Sequence, residues 1–142
     1  ATTGPCTTAY DFEDTVAIGD YFYADTHEEV PAACAYPPYL VAGAPVLPYY
    51  IPFRALTNAA APNLLVAGKT MAQSFFANSG TRLHPEEWAT GTAAGVAAAL
   101  MAPRGWNTSV MYANVGLLQD ALTAIGAPLT WHLPPLALRP RR

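Results

Sequence analysis

The sequence predicts an α/β fold of which this chain forms the closing portion. Three observations lead there. Residues 63–69, NLLVAGK, are a continuous apolar run ending in Gly-Lys, the pattern of a strand covered on both faces as in parallel sheets. Residues 85–102, PEEWATGTAAGVAAALMA, read as a helix, and a second helical pattern covers about 112–125. An apolar strand of this type needs neighbours on both sides, and this chain supplies too few of them.

The elements follow in order. Residues 1–9 are polar, lack periodicity and read as loop. DTVAIGDYFYADTH (14–27) alternates in part, with Val16, Ile18, Tyr21 and Tyr23 on one face. Its β-branched and aromatic content favours a strand with a turn or bulge at Gly19. Residues 28–49 carry Pro31, Pro37, Pro38, Pro45 and Pro48. Proline fixes φ and removes ladder donors, so this stretch is an irregular cover. YYIPFRALT (49–57) is a short extended piece that Pro52 keeps from a central strand position. NAAAPN (58–63) is a turn, and residues 70–79 fit a short helix or a loop equally. In the helix of 85–102, Pro85 suits the first turn, and Glu86 and Glu87 suit the positive end of the dipole. The second helix has an apolar stripe of Val115, Leu118, Leu122 and Ile125, and Gly126 stops it. A Pro-rich tail closes the chain, and no internal repeat is present.

Composition bounds the function. The 142 residues are 52% hydrophobic and only 12% charged, where about 25% charged is usual. Either much of the surface is buried against something else, or the protein is secreted and kept soluble by glycans. With seven Lys and Arg and a net charge of −3 there is no basic stripe for nucleic acid. The terminal RPRR reads as a solvated tail. No apolar run reaches the roughly 18 residues that span a bilayer. Ala1 at the start, with no signal-like segment behind it, reads as a processed or trimmed end. Cys6 and Cys34 permit one bridge, and Asn107–Ser109 is an N-glycosylation acceptor in an extracellular protein. Together these tilt the reading toward the secretory pathway.

The opening turns of the 85–102 helix carry almost no side chains: Gly91, Ala93, Ala94 and Gly95. Glycine inside a helix costs about 1 kcal/mol, so the pair asks for a compensating contact. For Ala97, Ala98 and Ala99 simple packing is the reading. A helix N-terminus also presents free N–H groups to an anionic or electron-rich ligand.

YYIPFRAL, NLLVAGKTM, SGTRLHP, WATGTAAGVAAAL and VGLLQDALTAIGAPL resemble, in order and spacing, the C-terminal part of FAD-dependent oxidoreductases of the glutathione-reductase-like flavoprotein class. That group shows an I-P-Y-R-x-L segment, an N-L-L-V-A-G-R strand, a G-S-x-R-x-x-P loop and a G-x-A-A-G-x-A-A helix. DTVAIGDYFYADTH resembles its strand ending in D-x-H, here Asp25 and His27. The resemblance covers roughly residues 14–129. It implies the C-terminal portion of an FAD/NAD(P)-binding Rossmann-like flavoprotein fold, incomplete without an N-terminal dinucleotide-binding part. It further implies that Ala67, Gly68 and Lys69 lie along FAD, and that Gly91, Thr92, Ala93 and Ala94 meet the isoalloxazine carbonyl edge. A helix N-terminus there would stabilise the negative charge of a reduced flavin. Two departures stand out. Lys69 replaces the group's usual Arg, which keeps charge but loses the planar fork. And G-x-G-x-x-G, which grips the pyrophosphate, occurs nowhere in the chain.

On this basis the chain divides into 1–57, a substrate-domain strand and Pro-rich cover; 58–129, the closing strand and helices of the FAD domain; and 130–142, an extended tail. The missing half would come from the N-terminal part of the same precursor or from a companion chain. The function implied is hydride transfer from a small organic substrate to flavin. The alternative is a non-enzymatic structural or binding chain that kept the fold fragment. Among candidate chemical residues, His84 is a general acid or base opposite the flavin, or else caps the helix or bonds a local carboxylate. Arg82 and Arg54 are clamps for a substrate carboxylate or structural ion pairs. Lys69 steadies the flavin or forms a surface pair. His27 with Asp25 orients a substrate or is a structural pair. The adjacent pairs Glu28–Glu29 and Glu86–Glu87 point apart and read as solvated or dipole-matched. No metal is expected: His27, His84 and His132 lack ligand spacing, and no H-E-x-x-H, C-x-x-C or G-x-S-x-G occurs.

Overall fold

A computed structural model describes residues 11–21, 23–24, 44–45 and 48–131. Strand β1 (Thr15–Gly19) pairs antiparallel with β4 (Tyr49–Pro52), setting Ala17 opposite Ile51 and Gly19 opposite Tyr49. Between them in sequence, β2 (Tyr23–Ala24) pairs antiparallel with β3 (Ala44–Pro45). The long segment between β1 and β4 therefore includes a second short ribbon. The remaining residues of the expected cover, together with Cys6, Cys34, Asp25, His27 and the tail from His132, lie outside the described residues.

The irregularity expected at Gly19 sits elsewhere: the ladder shifts register between Thr15 and Ala17. Gly19 is glycine for another reason. A Cβ built on it falls 2.4 Å from the Tyr49 ring, which lies across the strand and also touches Gly80. Glycine inside a strand marks such close approaches. The ring cannot swing aside without breaking the buried contacts of its hydroxyl, so Gly19→Ala is expected to cost about 1–3 kcal/mol, the range for overpacking a filled core. A urea midpoint within error of the parent protein's would refute this.

Nor does β1 alternate. Thr15, Val16 and Ala17 are all buried, because α2 (His84–Met101) and α4 (Val115–Ala124) both pack on the strand. After β4 the chain tightens into a 3-10 turn, Phe53–Leu56, whose Phe53 and Leu56 enter the core. The 58–63 turn follows as expected, with Asn58 Oδ1 accepting the Ala60 N–H at 2.8 Å.

The NLLVAGK run forms no covered strand. It makes a single bridge, Thr57 to Leu65, and a Val66 N–H bond to the Leu56 carbonyl at 2.9 Å. Leu64 is 48% exposed. Apolar composition reports a demand for cover, and no strand among the described residues flanks this run. Residues 68–70 instead wind into a 3-10 turn. Helix α1 (Phe75–Thr81), capped by Ser74 accepting from the Ala77 N–H at 3.2 Å, resolves the undecided 70–79 stretch.

Helix α2 starts one residue before the expected position, with Pro85, Glu86 and Glu87 in its first turn. Glu86, Thr90, Ala93, Ala97 and Met101 form its buried stripe, at the three- and four-residue spacings that share one helical face. Ala97 packs inward as expected, but Ala98 and Ala99 are exposed. The second predicted helix is two: α3 (Thr108–Ala113) and α4, broken at Asn114, whose φ of −119° leaves the helical range. Leu118 and Leu122 are fully buried and Val115 packs against them. Ile125, assigned to the same stripe, is 61% exposed, because the helix ends at Ala124 and Gly126, at φ +82°, turns the chain away. One core joins Val16, Ile51, Phe53 and Leu56 to Ala93, Ala97, Leu118 and Leu122, so burial runs continuously across residue 57.

Candidate functional site

The 3-10 turn Gly68–Thr70 docks on the opening turns of α2. Gly68 adopts φ +69°, a left-handed conformation that favours glycine. Its N–H donates to Thr90 Oγ1 at 3.0 Å, and the Thr90 hydroxyl donates to the Glu86 carbonyl at 2.7 Å. A Cβ on Gly68 would lie 3.4 Å from Glu87 Oε1. Lys69 Nζ stands 3.9 Å from Glu87 Oε1, and His84 Nδ1 stands 3.1 Å from Glu87 Oε2. Thr70 Oγ1 closes the turn on the Ala67 carbonyl at 3.2 Å. Thus Ala67, Gly68, Lys69 and His84 come together, and Glu87 and Thr90 gather them. Sequence reasoning assigned neither of those two to the site. Glu87 at three residues from His84 was the available signal.

The imidazole of His84 is 83% exposed and bonds a local carboxylate, one of the readings left open for it. Glu87 is held below the usual glutamate range chiefly by the His84 hydrogen bond; burial opposes it, and the Lys69 charge adds a lesser lowering effect. The folded state therefore favours the carboxylate. Its contribution is present above the ordinary glutamate pKa and fades as pH falls through the lowered folded value. Acidification through that window is expected to release the His84 and Lys69 side chains from Glu87 while the Gly68–Thr90 bond holds the turn, read as a change in the His84 ring signals with amide protection at Gly68 little altered. A sharp loss of Gly68 protection in this window would contradict it.

Gly91, Thr92, Ala93 and Ala94 lie differently from expectation. The helix begins at His84, so Gly91 sits two turns inside it and the amides of 91–94 are committed to helical bonds. The positive end of the dipole is at His84–Glu86 and already faces two carboxylates. Ala93 points into the core with no exposed surface, because it follows Thr90 on the buried stripe; it is not available to a ligand. Ala94 is half-buried and lines a groove of about 480 Å³ with Asn63, Leu65, Ala98, Met101, Ala102 and Trp106. Gly91 and Thr92 are exposed, and nothing lies within 4 Å of where a Cβ on Gly91 or Gly95 would stand. On the other flank Trp88 (80% exposed), Thr92 and Ile125 border a cleft of about 270 Å³.

The outer face of α2 is therefore bare, bordered by two apolar clefts, and no charged residue occurs from Trp88 to Pro103. Solvent-facing helix surfaces ordinarily carry charge. Gly91 lies one turn beyond Glu87, on the side where Gly68 and Lys69 dock. A flat, largely apolar group with an electron-rich edge fits this arrangement: the glycines leave room for the plane and Lys69 offers the cation.

Arg54 belongs to a separate cluster. Its Nη2 lies 2.8 Å from Asp14 Oδ1 and its backbone N–H donates to Asp14 Oδ2 at 3.0 Å. The guanidinium lies over the rings of Phe12 and Tyr112, at 5.5 and 5.9 Å from their centroids. This is the ion-pair alternative for Arg54, at the edge of a cleft of about 220 Å³ lined also by Thr57, Asn58 and Ser109. Arg82 closes α1 through its backbone N–H to Asn78 at 3.1 Å, two residues from His84. Glu86, expected to be solvated or dipole-matched, is buried and meets the Tyr49 hydroxyl at 2.9 Å.

A family model described as FAD dependent oxidoreductase matches residues 2–122. No curated protein and no solved structure matches the chain.

Proposed function

We propose, from the premise that this chain belongs to the FAD dependent oxidoreductase family, that it builds one side of a flavin site completed by another stretch of polypeptide. Its cofactor is FAD and its fold is that of an α/β flavoprotein. The finer reading is the C-terminal portion of a Rossmann-like fold of the glutathione-reductase-like class. The dinucleotide-gripping portion is then the N-terminal part of the same precursor or a companion chain. The observation that carries this reading is the uncharged outer face of α2, open at Gly91 and Gly95 beside the Gly68–Lys69 turn. In water that face is an unfilled interface.

FAD, when bound, supplies an acceptor for a hydride from a small organic substrate. The chain's own residues do the rest. Gly91 and Thr92 hold the ring face, and Lys69 places positive charge beside it. Glu87 fixes Nδ1 of His84, which frees the other ring nitrogen to give or take a substrate proton. Arg82, two residues from His84, is the clamp for a substrate carboxylate. Arg54 stays with Asp14 as a structural pair. Secretion belongs to the same proposal. It rests on the N-T-S acceptor of the sequence, whose Asn107 is exposed at the N-cap of α3.

The test is the colour and mass of the protein purified undenatured. Flavin absorbance in the visible range and a co-migrating dinucleotide-binding polypeptide are expected. A colourless monomer that unfolds in one cooperative step would replace this reading with that of a non-enzymatic structural chain.

A further inference from the structure

Two segments of the proposed flavin site, the Gly68–Lys69 turn and the Gly91–Thr92 face, come from different elements. Besides the Lys69 backbone N–H that faces the Glu87 carboxylate, two contacts tie the turn to α2. One is the Lys69–Glu87 pair, long at 3.9 Å and half-exposed, a kind of contact worth little in water. The other is the Gly68 N–H bond to Thr90 Oγ1, inside a fully buried site. The Thr90 hydroxyl is held in turn by its bond to the Glu86 carbonyl one helical turn back. Its lone pair therefore faces the Gly68 amide in one fixed direction. Thr90 immediately precedes Gly91, so whatever positions Thr90 also positions the bare face.

We infer that Thr90 is the positioning residue that registers the Gly68–Thr70 turn, and with it the Lys69 charge, against the flavin-facing side of α2. This rests on the flavin reading above. Thr90 touches no cofactor itself; it acts through Gly68 and Lys69. Moving a cation relative to a flavin alters the balance between its oxidised and reduced forms, so the latch is visible in the flavin's midpoint potential as well as in stability.

The experiment compares Thr90→Ser, Thr90→Val and Thr90→Ala in the full chain with its co-purifying partner, using FAD as the probe. Ser keeps the hydroxyl; Val keeps the volume without it; Ala removes both and cannot overpack if the Val variant fails to fold. Amide exchange at Gly68 is expected to rise about tenfold in the Val and Ala variants, the effect of losing one buried hydrogen bond, with a midpoint potential displaced from the parent. T90S is expected to match the parent in both. Glu87→Gln, which removes the charge facing Lys69 and His84 but keeps an acceptor for the Lys69 amide, is expected to leave Gly68 exchange within about twofold, as surface pairs contribute little. A parent that takes up FAD while T90V and T90A keep its potential overturns the inference and leaves the flavin reading standing. A parent that takes up no FAD overturns both.

Discussion

Tyr49→Phe is expected to cost about 2–3 kcal/mol, the penalty for stranding a buried polar partner. The phenol oxygen lies 2.8 Å from the Gly80 carbonyl and 2.9 Å from Glu86 Oε1, all out of water. One hydroxyl proton thus serves two acceptors. Glu86 Oε2 is buried with no hydrogen-bond partner among the described residues, so removing the hydroxyl leaves the whole carboxyl group without a donor. The ring itself fits unchanged between Gly19 and Gly80, which isolates the polar effect. Glu86→Gln keeps an acceptor for the phenol while removing the charge, and is expected to lose less than Y49F. Urea midpoints rank the two variants, and the reverse order would refute the assignment.

The same site gives a pH signature. The Tyr49 phenol is pushed well above the ordinary tyrosine range, first by burial, then by its hydrogen bond to Glu86 and by the charges of Glu86 and Asp20. Tyr112 is shifted the same way, chiefly by its hydrogen bond to Glu13. A raised phenol pKa means that the folded state keeps a proton the unfolded chain releases near pH 10. The stability it contributes is complete below that value and is lost as pH rises toward the folded one. Y49F is expected to flatten the alkaline decline in part, leaving the share due to Tyr112.

Arg54→Met is expected to cost about 2 kcal/mol, less than a fully buried pair because half of the arginine is solvated. The loss comes from the other side of the pair. Asp14 has no exposed surface, and without the guanidinium its charge keeps only backbone donation from residue 54. Methionine retains much of the contact with the Phe12 and Tyr112 rings. Adding Asp14→Asn removes the stranded charge and is expected to recover part of the loss, which a double-mutant cycle reads directly. Additive effects would show that the pair is not coupled. A structural role predicts a lower unfolding midpoint with substrate KM unchanged, which separates it from a substrate clamp.

Local signals were read well where the cause was local. Pro85, Glu86 and Glu87 announced α2 to within one residue, because first-turn chemistry depends on the turn itself. Gly126 marked the end of α4 for the same reason. Most of the failures had distant causes. Gly19 looked like a bend, but a ring 30 residues away dictates it. Asp14 and Arg54 are 40 positions apart, and Tyr49 and Glu86 are 37 apart. Nothing in spacing pairs them. The break at Asn114 was hidden because apolar periodicity continues through it, although an asparagine bonding back to the Val110 carbonyl at 2.8 Å is a local competitor of the helix. In the site, the Gly68 turn and the exposed glycines of α2 were legible as small residues; the buried Thr90 between them was not, since its partner approaches from 22 residues upstream.

Strand β1 is held largely by residues about a hundred positions downstream of it. Gln119 donates to the carbonyls of Glu13 and Thr15, Tyr112 reaches Glu13, and Trp131 donates to the Tyr49 carbonyl. These closures span 82 to 106 residues. Such high contact order slows folding, since loop-closure entropy is paid before the contacts return it. On the ribosome, Val16, Ala17 and Ile51 emerge long before Leu118 and Leu122 can cover them. These apolar strands therefore stay uncovered until α4 has been made, an interval in which exposed apolar surface favours aggregation.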